Sequence, residues 1–492
     1  MKYLLIWFPF FCFFRSNPGS AQTASLFFND RDSIRVSGRI IGFKPGDGND
    51  FISFLTFDIN GNGRKQAFQV SADGSFNITV YQSFAGDITV HYKTAFASLF
   101  VRPGVPLHLE IQNSITNAGE PGKNVFKATG ELSEVNNLLF DFQRVFREHD
   151  FLYQADLGNK EQTDSTFAAN RRKRLEEELV FLNTFADTLK TPNETFIRWQ
   201  KNQLVYAAGK EILMYPFLGK MNTSITGPQL LEMLGSISIS DTSALHNSAY
   251  YDFLNMLMLG HQIIVNINPD YAEVKKENGN NPVPVNLAQF DKLTTGITRQ
   301  ILYFNLYVSH FQSPSRKNIM APTAGRFESV LEEPYLKSSL KKLADSIGDG
   351  FKPYHIISRI RELKASNELK TRLLSTFEKA AGSNIFIDFW GDWCGPCMME
   401  MPAYPQLINQ FEGKPLKFIF FSANTKDMSV QRVKEKYKIK ADFINLTNDE
   451  VAMMNNVFEF YSYPAHFVVD KQGYVVGNHT KRAEDIERLI TK

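Results

Sequence analysis

The chain has 492 residues, 43% of them hydrophobic, and a formal net charge of only +2 at neutral pH. That length exceeds what one hydrophobic core organises and predicts about three domains. The near balance of charge, with no basic stripe interleaved with aromatic residues, gives no reason to expect a nucleic-acid partner.

Lys2 precedes an apolar run, Tyr3 to Phe14, which is too short to span a bilayer. Gly19-Ser20-Ala21 follows as a small-residue cleavage site, so residues 1–21 are predicted to be an export signal. Cys12 would leave with it; bulky Phe10 and Phe11 stand where an acylated cysteine needs small residues, which argues against a lipoprotein. No later run is apolar and long enough to cross a membrane. The expectation is an exported protein with no membrane span after signal removal, in the periplasm or cell envelope, where disulfides persist.

Residues 22–132 read as an antiparallel β-sandwich-like domain of six or seven short strands. Ser33 to Ile41 alternates, and Phe51 to Ile59 is apolar. Phe68 to Val80 reads as a hairpin about Asp73-Gly74; Ile88 to Tyr92, Ala97 to Val101 and Leu107 to Ile111 follow. From 133 to 362 the periodicity turns helical. Leu175, Leu179, Leu182 and Phe185 share one helix face, and Phe253, Leu254, Leu257 and Met258 repeat the pattern. The run Arg171 to Arg174, followed by Glu176 to Glu178, reads as a solvated face with i,i+4 pairs. Histidines 149, 246, 261, 310 and 355 show no metal-ligand spacing, so no metal and no cofactor are expected.

Residues 363–492 alternate between the two periods. A helix over 366–380 precedes the strand Ile385 to Phe389 and a helix from about Cys394. Strand 418–421, helix 428–437, strand 441–446, helix 448–457, strand 467–469, a hairpin turn at 471–473, strand 474–476 and a closing helix complete an α/β unit.

That unit holds the two cysteines left after signal removal, in Trp390-Gly-Asp-Trp-Cys394-Gly-Pro-Cys397. Two thiols separated by Gly-Pro pair when the turn between them opens a helix. Cys394 then meets the unpaired N–H groups and the dipole of the first turn, which favour the nucleophilic thiolate. Cys397, one turn inward, is the resolving thiol. Asp388, embedded between Ile387 and Phe389, and Glu400, one turn beyond Cys397, are the candidate proton carriers. His466, two residues beyond Pro464, could tune the thiolate but reads better as an ordinary strand side chain, and Pro402 reads as a kink in the redox helix.

Asp388 to Cys397 resembles thioredoxin almost residue for residue, and Tyr463-Pro464 before a strand matches that family's cis-proline position. The resemblance covers about a quarter of the chain. The longer stretch between Ser422 and Pro464, with Glu400 and Pro402 after the cysteines, resembles the exported TlpA/ResA branch. That branch has a β-hairpin ahead of the central strand, where an amphipathic helix is read here. The resemblance implies a thioredoxin-like fold and places Cys394 at an exposed edge. It also implies substrate contacts from Trp393, Gly395, Pro396, Tyr463 and Pro464. The implied partners are disulfide-containing envelope proteins as substrates and a membrane thiol as electron donor. Gly-Pro between the cysteines fits the reducing direction. A binding or docking protein, with residues 22–362 as the working part, is the alternative. A thiol peroxidase is disfavoured because Gly391 occupies the position, three residues before the cysteine, where Thr or Ser is needed.

Overall fold

The computed structural model describes residues 33–491 except 47–49, 61–62, 83, 85, 94, 114–124, 150–161, 219–221, 223, 269–270, 278–282, 312–329, 349–351, 364–366, 381, 424, 461–462 and 479–482. The predicted export signal lies outside the described residues.

Among the described residues, eight strands come first: β1 (Ser33–Ile41), β2 (Phe51–Phe57), β3 (Gly63–Gln69), β4 (Ser75–Tyr81), β5 (Gly86–Tyr92), β6 (Ala95–Val101), β7 (Leu107–Gln112) and β8 (Phe126–Thr129). They form two four-stranded sheets, ordered β4-β1-β7-β8 and β3-β2-β5-β6. Two expectations are corrected here. The β1–β7 pair is parallel, so the sheets are not purely antiparallel. The arms around Asp73-Gly74 do not form a ladder together: β3 pairs with β2 and β4 with β1. A tight turn is present, with Gly74 N–H donating to the Ser71 carbonyl at 2.8 Å. It carries the chain from one sheet to the other, so Val70 and Phe76 both enter the shared core. Alternation reports which side of a strand is buried, not which sheet the strand joins.

Three edge strands end on asparagine amides that act as one further rung. Asn136 takes the Phe100 N–H and gives to the Phe100 carbonyl at 2.8 and 2.9 Å; Asn137 does the same for Ala128 at 2.8 and 3.0 Å. Asn456, more than 300 positions away, does so for Ala67 of β3 at 3.4 and 3.0 Å. Each amide satisfies a donor and an acceptor that an edge strand otherwise presents to other chains.

The middle of the chain is helical: α1 (Ser133–Glu148), α2 (Asp164–Asp187), α3 (Glu194–Met214), α4 (Gly227–Leu234), α5 (Ser248–Ile267), α6 (Ala272–Glu277), α7 (Val283–Leu293), α8 (Gly296–Phe311) and α9 (Pro334–Gly348). The helices share one apolar core with the strands before them. Asp87 of β5 caps α5 across that junction, accepting from Ser248 N–H at 2.7 Å and Ser248 Oγ at 2.5 Å. The charged run on α2 is only partly solvated. Arg174 pairs with Glu178 at i,i+4, but Arg171 and Glu178 are buried and pair with each other, and Arg171 reaches Glu211 of α3. Packing of α3 and α4 against α2 turns one side of the run inward.

The C-terminal unit comprises β9 (Tyr354–His355), α10 (Ile356–Glu362), α11 (Asn367–Glu378), β10 (Asn384–Trp390), α12 (Gly395–Glu400), α13 (Tyr404–Gln410), β11 (Leu416–Ala423), α14 (Asp427–Tyr437), β12 (Asp442–Leu446), α15 (Asn448–Phe458), β13 (Ala465–Val469), β14 (Tyr474–Asn478) and α16 (Ala483–Ile490). Its sheet runs β12-β11-β10-β13-β14-β9. The boundary drawn at 363 therefore falls inside the unit, because His355 already pairs with Tyr474 and Ile360 lies in the core.

β10 is buried along its whole length and divides its side chains between two cores. Ile385, Ile387 and Phe389 face α10, α11 and α15, together with Phe51 and Ala67 of the β unit. Phe386 and Trp390 face the other way, toward Cys394, Cys397, Met401 and Tyr404. The period-two alternation of a strand separates these two sets, and Asp388 falls in the second.

Candidate redox site

The chain leaves β10 at Trp390 and reaches α12 through a short turn. Cys394 is the N-cap of that helix: its sulfur lies 3.2 Å from the Cys397 N–H and its carbonyl accepts from Met398 N–H at 3.0 Å. Pro396 sits in the first turn, where its missing N–H costs no helical bond. The helix stops at Glu400, and a 3-10 turn over Met401–Ala403 carries Pro402 into α13. Cys394 and Cys397 are joined as a disulfide.

In this oxidised form Cys394 is only 4% exposed, whereas the resemblance implied an exposed edge. The surface at this end is made by Trp393, which is 54% exposed, and by Gly395 and Pro396. Trp393 is held by a bond from its indole N–H to the Ala423 carbonyl at 2.9 Å and an edge-on contact with Tyr463 at 5.2 Å. The ring lies over Gly391, where an added Cβ would fall 2.5 Å from Trp393 Nε1. Gly391 is thus fixed by a neighbour's side chain, and the Thr or Ser of a peroxidase-type motif does not fit there. The Tyr463–Pro464 peptide is cis. Tyr463 packs against the core that contains both cysteines, and burial pushes its hydroxyl well above the usual tyrosine range.

On the sheet face that packs against the cysteines, four polar side chains from four elements converge. Asp388 of β10 is 1% exposed and stands directly opposite His466 of β13 in the antiparallel ladder. His466 Nε2 lies 3.5 Å from Asp388 Oδ1, 3.1 Å from Glu400 Oε2 and 3.0 Å from the Tyr404 hydroxyl. Phe386 stacks on the imidazole at 5.9 Å. Burial, reinforced by the two carboxylates, raises the Tyr404 hydroxyl well above its ordinary range, so it remains a donor. Glu400 is 21% exposed at its side chain and is the member of the group that meets solvent.

The expected residues Cys394, Cys397, Asp388, Glu400, Trp393, Gly395, Pro396, Tyr463 and Pro464 all belong to this one end of the unit. Tyr404 was missed as a functional candidate, and for His466 the three polar contacts favour the functional alternative over the ordinary strand side chain. A signal for His466 was available: it is the one ionisable residue in the apolar strand Ala465–Val469, as Asp388 is in Ile385–Phe389. Nothing in the sequence announced Tyr404. Among the described residues, no group of His, Cys, Asp and Glu has the arrangement of a metal site.

Residues 360–477 match the model of the AhpC/TSA family. The thiol-disulfide oxidoreductase ResA of Bacillus thuringiensis subsp. konkukian is 29% identical over 115 residues, 23% of this chain and 64% of that protein. ResA of Geobacillus kaustophilus is 30% identical over 113 residues, 22% of this chain and 62% of that protein. The chain thus spans less than two thirds of the length of these relatives. Among solved structures, it is similar to the thioredoxin domain of a thiol-disulfide oxidoreductase from Bacteroides vulgatus (20% identity, 23% of this chain, 83% of that one, TM-score 0.22). It is also similar to a thiol:disulfide interchange protein from Chlorobium tepidum (20% identity, 23% and 81%, TM-score 0.22). The C-terminal unit is a thioredoxin-superfamily segment. Within that superfamily it is of the TlpA/ResA-like kind.

Proposed function

We propose that the chain is an exported thiol-disulfide oxidoreductase that reduces disulfides of envelope proteins through Cys394 and Cys397. The observation that supports this reading is a dithiol pair at a helix start, in the same core layer as Tyr404 and the ionisable side chains around it. The Cys394 thiolate attacks a substrate disulfide; one substrate sulfur leaves as a thiolate and a mixed disulfide remains. Cys397 then gives its proton to Asp388, and its thiolate attacks the Cys394 sulfur. The Cys394–substrate bond breaks, the second substrate thiolate leaves, and the enzyme ends as the disulfide. Trp393, Gly395, Pro396, Tyr463 and Pro464 line the approach for an extended substrate segment. The electrons come from thiols alone, so no cofactor is required, and a membrane thiol carrier outside this chain restores the dithiol.

The test is a Cys397→Ser variant, which can attack but cannot resolve. Expressed in the native host, it should accumulate mixed disulfides between Cys394 and envelope proteins, identified by mass spectrometry after diagonal electrophoresis. Adducts no more abundant than with Cys394 and Cys397 both replaced would remove the assignment.

A further inference from the structure

The proton taken from Cys397 must leave the site, and Asp388, at 1% exposure, has no face on solvent. We propose that His466 is the relay that carries this proton from Asp388 to Glu400 and so to water. The inference rests on the reading of Cys397 as the resolving thiol and adds the route that follows. One ring nitrogen, Nε2, lies 3.5 Å from the inner carboxylate and 3.1 Å from the outer, solvent-touching one, so a proton need not cross the imidazole to pass between them.

The Tyr404 hydroxyl, which stays protonated, lies 3.0 Å from Nε2, and the relay requires that the resting ring carry its proton on Nδ1. Receipt of the proton from Asp388 makes an imidazolium, whose Nε2–H then faces three oxygens, two of them on carboxylates. Two carboxylate oxygens close to Nε2 are an arrangement able to stabilise a transient positive charge. The final transfer goes to Glu400. No electrons move along this path: the electron pair stays on Cys397 sulfur and forms the new S–S bond. Among the described residues, the charged groups paired with His466 come from β10 and α12. α16, also packed on β13, turns Ile486 inward, while its Glu487 pairs with Lys414 and its Arg488 with Asp485. His466 is thus a proton-positioning residue and not one that touches substrate.

His466→Gln separates titration from architecture, because the amide keeps a hydrogen-bonding nitrogen but does not carry a proton between the carboxylates. In stopped-flow measurements on the full chain, resolution of a mixed disulfide with a small aromatic disulfide should slow on the order of 10²-fold. The initial attack by Cys394 should keep its wild-type rate. Adding Glu400→Gln should cost little more, since both variants interrupt one path. Wild-type resolution across pH 6–9, equal slowing of attack and resolution, or losses that multiply in the double variant would each overturn the relay. If His466→Gln does not fold, the ¹⁵N resonances of His466 in the wild-type protein decide the matter. They should show the resting ring protonated at Nδ1 with Nε2 open, and a resting ring protonated at Nε2 overturns the proposal. Failure of the oxidoreductase reading itself looks different: the wild type would then form no mixed disulfide at all.

Discussion

Asp388 and His466 are cross-strand partners on β10 and β13, and both project from the sheet face that carries the cysteine helix. A carboxylate and an imidazole facing each other in an otherwise apolar layer are costly to bury without mutual contact. Their pairing, with Glu400 and Tyr404 closing around them, makes the group one polar unit in that layer.

For the carboxylates, Asp388→Asn and Glu400→Gln should each slow resolution of the mixed disulfide by roughly 10²-fold and leave the attack by Cys394 nearly intact. Asp388→Asn should show the larger loss, because the inner position is the less exposed of the two. Single-turnover kinetics with a chromogenic disulfide check this. Wild-type resolution in both variants would place the proton route elsewhere.

Gly391→Ala should displace the Trp393 ring and break its bond to the Ala423 carbonyl, since the new Cβ has no room beside Nε1. Overpacking of this kind costs about 1–3 kcal/mol. A lower melting temperature together with a changed tryptophan emission spectrum is the expected result; an unaltered spectrum would mean that the ring has space to spare.

Stability should respond to pH through Asp87. Burial, opposed by the two bonds from Ser248, raises its carboxyl to about 6 from an ordinary 3.8. The folded state therefore binds this proton more tightly than the unfolded chain does. Its contribution is complete below about pH 4 and is lost as pH rises through 6, a change of about 3 kcal/mol. Asp87→Asn removes the titration, so the variant should gain on the wild type between pH 4 and 7. Denaturant titrations at several pH values check the difference, and parallel profiles would count against it.

Asn456→Ala should leave the Ala67 N–H and carbonyl without their shared partner, at a cost of about 1–3 kcal/mol. Asn456→Asp should be the worse change, because a carboxylate then confronts the Ala67 carbonyl. Hydrogen exchange at the Ala67 amide should accelerate in both; unchanged exchange would show the contact to be dispensable.

Much of this molecule was legible in the chain because its signals are local. The strand–turn–helix around Cys394, the apolar flanks of Asp388 and the turn at Gly473 are each decided by a few neighbouring residues. What escaped was decided by residues distant in sequence. The Asp73-Gly74 turn reads as a hairpin until the competition between two sheets is known. Arg171 looks solvated until α3 supplies Glu211. His466 looks inert until the β10–β13 register sets it opposite Asp388, and Tyr404 gains its role only after the kink at Pro402 swings α13 over the sheet. Cross-strand register and helix docking are long-range facts, and residue spacing along one element does not contain them.

The rung from Asn456 to Ala67 bears on how freely this protein can be recombined. α15 lies in the stretch between β11 and β13 that reads as longer than in plain thioredoxin, and its asparagine completes a strand near the other end of the chain. A shorter relative grafted in place of residues 354–491 would bring the dithiol chemistry but strand the edge of β3. Chimeras that exchange the C-terminal unit therefore need to carry α15 with it, and the point of exchange lies in that joint more than in the cysteine motif.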